Sequence, residues 1–207
     1  MLKFALLGCG RIAKKHSELL GYKKIDNARL VAVCDIVEEK AKKIGEQFNV
    51  PYYTDMNAMM KKEDIDVVSV LTESGNHAKD VINLSKFKKN IIVEKPIALT
   101  LDDVDDMISA CDKNQSKLFV VKQNRFNLPI LKLKEALDQN RFGKLFMATS
   151  RVRWCRNQEY YNQDSWRGTW SLDGGVIANQ AIHFIDLIEW LMGKVDSVFA
   201  KGINALA

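Results

Sequence analysis

Three observations predict an α/β chain whose N-terminal part is a doubly wound parallel sheet. Short β-branched runs recur along the first 122 residues, each followed by a stretch with apolar residues at helical spacing. The runs are near-continuously apolar, as strands covered on both faces must be. A glycine turn, Gly8-Cys9-Gly10, lies where the first run gives way to the first helical stretch. Repeated strand–helix units of this kind connect parallel strands by right-handed crossovers.

In chain order the predicted strands are residues 3–8, 30–35, 66–72, 90–94 and 118–122. The predicted helices between them are 12–20, 37–48, 56–62, 77–87 and 101–113. Thr100, followed by Asp102 and Asp103, is the expected N-cap and acidic first turn of the last of these. After Gln123 the pattern changes. A helix follows Pro129 to Asn140, and Gly143 ends it. A strand is predicted over 145–153, then a polar loop over 156–173 holding Tyr160, Tyr161, Trp166 and Trp170. So many large aromatics in a long loop predict a functional segment, not a disordered one. A helix over 176–192 and a strand over 198–203 complete the pattern. The chain is therefore divided into residues 1–122 and a small α+β domain, 123–207. Two strands leave an open edge, so this second domain is expected to be incomplete.

Composition narrows the function. The 207 residues are 47% hydrophobic and 28% charged, an ordinary globular balance. The net charge of +5 comes from Lys and Arg spread along the chain, which predicts solvated faces and no nucleic-acid partner. Cys9, Cys34, Cys111 and Cys155 form no CxxC pair, arguing for reduced thiols in a cytoplasmic protein. His16, His77 and His183 lack metal-ligand spacing, and no metal is expected. The opening MLKFALLGCG is too short for a signal segment and runs at once into Arg11, Lys14 and Lys15, so it reads as a buried strand. No apolar run approaches the ~18 residues of a membrane span, and no membrane partner is expected.

The stretch FALLGCGRIAKKH contains a GxGxxA pattern between a predicted strand and a predicted helix, the context that gives this pattern meaning. Gly8 permits the tight turn. Gly10 lets the backbone approach a pyrophosphate, which the amides around Arg11 and Ile12 and the helix dipole would hold. Ala13 permits close helix–strand packing. The second strand ends in Asp35, placed to accept hydrogen bonds from ribose hydroxyls and to repel a 2′-phosphate. A dinucleotide-binding Rossmann domain selecting NAD over NADP follows. Thr72, Ser74 and His77 end another strand and open a helix, so they are candidates for cofactor contact; His77 alone reads more readily as a packing residue.

Residues 93–96 read VEKP. A lysine followed by proline at a strand end, behind GxGxxA and an aspartate, resembles the glucose–fructose oxidoreductase/inositol dehydrogenase (Gfo/Idh/MocA) family. The resemblance implies an NAD-dependent dehydrogenase acting on CH–OH groups, with Glu94 and Lys95 at the nicotinamide and substrate. It also implies that the helix in DGGVIANQAIHFIDL (173–187) supplies the other polar catalytic groups. Together with KQNRFN (122–127) and YYNQDSWRGTW (160–170), this segment is similar to the branch that oxidises UDP-N-acetylglucosaminuronic acid at C3 for bacterial surface polysaccharides such as O-antigen. Inositol-dehydrogenase members carry aspartate four residues before the histidine. Here Asn179 stands there, as in the uronate-oxidising branch. Family members are also longer than this chain.

On this reading Lys95 and His183 share the hydroxyl proton and Asn179 orients the sugar; which of the two is the base stays open. A lysine begins near pKa ~10.4 and is lowered by desolvation, whereas histidine begins near ~6.5. Read alone, Asn179 and His183 are a helix N-terminal asparagine and a packed histidine. At i and i+4 on one helix they present two polar groups to a substrate. Trp166 and Arg167 resemble a family pair that reaches back to the cofactor. Arg125, Arg151, Arg153 and Arg156 are candidates to bind a uronate or pyrophosphate. A small-molecule sugar-nucleotide substrate and a homo-oligomer are expected. The alternatives are another sugar or polyol dehydrogenase of the family, or an NAD-binding protein without turnover.

Overall fold

The computed structural model describes residues 1–203. Its first strands and helices alternate: β1 (Leu2–Leu7), α1 (Ala13–Gly21), β2 (Ala28–Cys34), α2 (Glu38–Phe48), β3 (Tyr52–Tyr53), α3 (Met56–Lys62), β4 (Val67–Val70), α4 (His77–Ser85), β5 (Asn90–Val93), α5 (Leu101–Lys113) and β6 (Leu118–Val120). The six strands form one sheet in the order β3-β2-β1-β4-β5-β6, and every pairing is parallel. The order reverses between β1 and β4. The carboxyl ends of those two strands therefore flank the crevice where doubly wound sheets bind ligands.

Both faces of the sheet are covered, as the apolar strands require. Ala5 and Leu7 pack into one core with Val68, Val70, Ile91 and Val93 and with Met59, Val81 and Met107 from the helices. Leu6 points the other way, into a second core with Ala13, Leu20, Val33 and Ile44. This is the period-2 geometry of a strand buried on both sides. The predicted cap is formed: the Thr100 side chain accepts from Asp103 N at 3.1 Å. Asp55 caps α3 in the same way. β3 was not foreseen. Two tyrosines behind a proline carry no periodicity to detect.

The chain divides into two compact units, Met1–Val121 with Arg156–Asn179, and Lys122–Cys155 with the residues from Gln180 onward. The sequence cut at 122/123 assigns 156–179 to the second domain. In the structure this segment docks on the first unit, where Gly75 N donates to Leu172 O at 3.1 Å. The second unit contains α6 (Leu128–Asp138) and α8 (Ile182–Met192). Its anchor is Asp186, which accepts two hydrogen bonds from the Arg125 guanidinium and pairs with Lys122 at 3.2 Å. Trp190 lies 5.2 Å beneath that guanidinium.

Three expectations are corrected. The strands predicted over 145–153 and 198–203 are not formed. A strand needs a neighbour for its N–H and C=O groups, and among the described residues no second strand lies beside either segment. Their apolar side chains stay exposed, Phe146 at 89% and Phe199 at 93%. The helix predicted over 176–192 is not uniform: a π-turn, Ile177–Ala181, precedes α8. The loop over 156–173 also contains a short helix, α7 (Gln158–Asn162).

Candidate active site

The glycine turn is fixed by close approach. Gly8 has φ +96°, and a Cβ there would lie 2.7–2.8 Å from the backbone of Leu71 and Thr72 at the end of β4. At Gly10 a Cβ would meet nothing within 4 Å, so the open face lies where a bound group can approach the backbone. Arg11 and Ile12 follow at the exposed start of α1, and no side chain caps that helix. Ala13 is fully buried. Asp35 stands just past β2, and its carboxylate accepts from Cys9 N at 2.7 Å and from Val37 N at 2.8 Å. Each of its oxygens keeps a lone pair for a further donor. Beside it, Ile36 is almost wholly exposed and offers no charge to a 2′-phosphate. These residues fit a dinucleotide with free ribose hydroxyls.

The end of β4 is braced from below. The Thr72 hydroxyl donates to Asp80 Oδ2 at 2.7 Å, and burial raises the Asp80 carboxyl above its usual range. Ser74 is buried at the entry to α4. His77 is also buried. Its Nδ1 lies 2.8 Å from Pro96 O and its Nε2 3.1 Å from Thr72 O. With both ring nitrogens against backbone carbonyls, His77 ties two strand ends together, and its nitrogens are occupied within the protein. A neutral ring can donate to only one of these carbonyls. Burial nevertheless outweighs the two carbonyls and keeps the imidazole below its ordinary pKa.

At the end of β5, Glu94 is buried and its two oxygens are engaged. One meets His16 Nε2 at 3.2 Å, which links α1 to this strand end; the other accepts from Lys95 N at 3.1 Å. Burial pushes the carboxyl up, but His16 and the Lys95 amide hold it below the usual range. Glu94 therefore shapes the strand end and does not present a free carboxylate. The Lys95–Pro96 bond is cis.

Lys95 Nζ donates to two atoms of one residue, Asn179 O at 2.7 Å and Asn179 Oδ1 at 2.9 Å. Asn179 sits in the π-turn, where the widened helix is a recurring device at functional positions. The Asn179 amide in turn donates to Asp173 Oδ1. Asp173 is buried, and its second oxygen accepts from Gly168 N at 2.7 Å. Burial lowers the Lys95 ammonium below the ordinary lysine value. Glu94 and Asp173 oppose that shift and Arg167 adds to it.

Arg167 is held by Asp164 at 3.0 Å and by the Tyr160 hydroxyl at 3.0 Å. Its guanidinium stacks at 4.7 Å on Tyr160 and at 4.8 Å on Trp166, so the Trp166–Arg167 pair is one rigid cluster. Of the other arginine candidates, Arg125 is committed to Asp186. Arg156 stacks on Tyr160 at 5.0 Å. His183 lies in the first turn of α8, in the second unit, half-buried. Sequence reasoning missed Asp173, Gly75 and the His16–Glu94 link. Of these only Asp173 left a trace, as a lone acidic residue before a double glycine. No group of side chains able to hold a metal occurs among the described residues.

A parallel sheet in this strand order, with a glycine turn at its switch point, defines a dinucleotide-binding Rossmann domain. The chain belongs to the Gfo/Idh/MocA family. Residues 2–122 match its oxidoreductase, NAD-binding Rossmann fold domain and residues 130–207 match its C-terminal domain. It is similar to the WlbA dehydrogenases of Bordetella pertussis and Chromobacterium violaceum, both solved with NADH and UDP-GlcNAcA. The identities are 38% and 42%, each with TM-score 0.88 over 93% of this chain. It is 32% identical over 97% of its length to the myo-inositol 2-dehydrogenase of Thermotoga maritima. The chain spans 55–58% of the length of these three relatives. No helix among the described residues is long and apolar enough to cross a membrane.

Proposed function

We propose that the chain forms the cofactor and proton-transfer part of a dehydrogenase that oxidises the C3 hydroxyl of a UDP-linked N-acetylglucosaminuronic acid. In that role it would serve the synthesis of bacterial surface polysaccharide in the cytoplasm. The observation that carries this reading is the double hydrogen bond from Lys95 Nζ to Asn179. A neutral lysine has two N–H bonds and one lone pair. With both N–H groups engaged by Asn179, the lone pair is left to accept a substrate hydroxyl proton. Burial of Lys95 favours this neutral form. His183 is the second candidate for that proton, and Asn179 orients the sugar.

NAD, when bound, supplies the hydride acceptor. The Gly8–Gly10 turn and the start of α1 at Arg11 and Ile12 would hold its pyrophosphate, and Asp35 would accept from its ribose hydroxyls. Thr72 and Ser74, at the β4 end, and the Trp166–Arg167 pair would add further contacts to it. The likeness to two proteins solved with UDP-GlcNAcA supports the uronate, as does asparagine at 179. A polyol is the second reading, favoured by the myo-inositol relative. A homo-oligomer is part of the same reading.

Formation of NADH with UDP-N-acetylglucosaminuronate, compared with myo-inositol, tests this. Turnover of the uronate alone is expected. Turnover of inositol alone selects the polyol reading, and calorimetric NAD binding without either turnover rejects both. Asp35→Ala should narrow the NAD-over-NADP preference by about tenfold or more, the loss of a hydrogen bond to a charged acceptor.

A further inference from the structure

We propose that Asp173 is a positioning residue for Lys95, acting through the side-chain amide of Asn179. An asparagine amide has an acceptor end and a donor end, and nothing intrinsic to its shape decides which way it points. Here the two ends face groups of opposite kind. Lys95 Nζ, a donor, lies 2.9 Å from Oδ1, and the Asp173 carboxylate, which only accepts, receives the Nδ2 proton. Turned over, the amide would set N–H against N–H at Lys95 and oxygen against oxygen at Asp173. Asp173 therefore fixes the amide, and the amide fixes the lysine.

Asp173 is itself held. Its second oxygen accepts from Gly168 N at 2.7 Å, and its own N–H donates to Thr169 O at 3.0 Å. Leu172, its neighbour, accepts from Gly75 N. The carboxylate is thus buried on a loop pinned to the first unit, with no hydrogen bond to the lysine it serves. The charged groups acting on Lys95 are Glu94 beside it, and Asp173 and Arg167 from the loop. Glu94 is occupied by His16 and the Lys95 amide, and Arg167 by Asp164 and Tyr160. Asp173 is the one joined to Nζ by a chain of hydrogen bonds through Asn179.

This inference rests on reading Lys95 as the proton-transfer lysine, but its test needs no turnover. Competitive acetylation across a pH series, read on the tryptic peptide 90–113, follows the Lys95 amine directly; trypsin spares the Lys95–Pro96 bond. In Asp173→Asn the introduced amide can keep the Gly168 N–H and turn its own N–H towards Asn179, which then reverses. The labelling midpoint of Lys95 should move to lower pH, with about threefold or more labelling at neutral pH. In an Asn179→Ala background the same substitution should have little further effect, since the connection is already cut. An unchanged midpoint in a folded Asp173→Asn protein overturns the proposal. So does a shift of equal size in both backgrounds, which would mean that the charge acts directly. If Asp173→Asn does not fold, the Asn179 side-chain NH2 in the unsubstituted protein decides. Protection from solvent exchange is expected, and exchange at the rate of a free amide overturns the proposal. If the unsubstituted protein does not turn over the uronate while these labelling results hold, the substrate reading is rejected and the positioning role stands.

Discussion

Lys95 acts, on the reading above, only as chemistry begins, whereas the glycine turn and Asp35 act on the cofactor at rest. Lys95→Ala should therefore lower kcat by about 10²–10⁴, the contribution of a positioned acid–base group. The NAD dissociation constant should stay within about tenfold of the unsubstituted value. Steady-state kinetics and calorimetry on the same preparation check both halves. His77 gives a prediction of a different kind. Its native pKa is lowered by burial, so between that value and the unfolded value of ~6.5 the unfolded chain binds more protons than the native one. Stability should therefore fall as pH drops below about 7, until the native ring protonates as well. His77→Gln should flatten this part of the curve in denaturant titrations between about pH 7 and 5. At this scale the sequence was legible for place: Gly8 in a tight turn, Asp35 just past β2 and Lys95 just past β5. It was not legible where the role depends on a partner far along the chain. By position His77 is a candidate for cofactor contact that reads more readily as a packing residue, and only the structure shows the carbonyls of Thr72 and Pro96 that it braces. Asp173 is visible only through Asn179.

The loop from Asp164 to Gly174 is held to the first unit by a contact that excludes any side chain. A Cβ on Gly75 would lie 1.9 Å from Ser171 O. Gly75 has no positive φ, so the conflict is one of space alone. Gly75→Ala should lift this loop, weaken the Asn179–Lys95 hydrogen bonds and leave the six-stranded sheet intact. Hydrogen exchange should show faster labelling of 166–174 with little change in β1, β4 and β5, and NAD affinity should hold within about tenfold. Elements of the sheet were legible because each buried strand and amphipathic helix carries its own periodic signal and its own cap, as at Thr100. The strands expected over 145–153 and 198–203 failed for the opposite reason. An apolar run states that a segment can be buried, and a ladder requires a partner that the run does not name. The π-turn at Asn179 leaves no periodic signature, because five residues are too few to distinguish from α-helical spacing.

Across the whole chain, burial is unevenly distributed. The first unit holds both apolar cores, while among the described residues of the second only Asp186 and Leu187 are buried. Residues 144–156 have neither helix nor strand. Limited trypsin digestion should cut first after Lys144, Arg151, Arg153 or Arg156, and a fragment carrying residues 1–121 should outlast the rest. Bound NAD should slow loss of that fragment further, in proportion to its occupancy. The first unit is also discontinuous, and that has a consequence for how the protein is made. All six strands have been translated once Val120 is added, and the sheet can close on its own residues when β6 has emerged from the ribosome. The partner of Lys95 is encoded 84 residues later than the lysine. At about 5–20 residues per second, a nascent chain spends roughly 4–17 s with the lysine translated and its asparagine not yet made. In the later part of that interval, once β6 is free to pair, the sheet can exist without the asparagine that holds Lys95, and whatever binds the nucleotide turn first does so before that contact has formed.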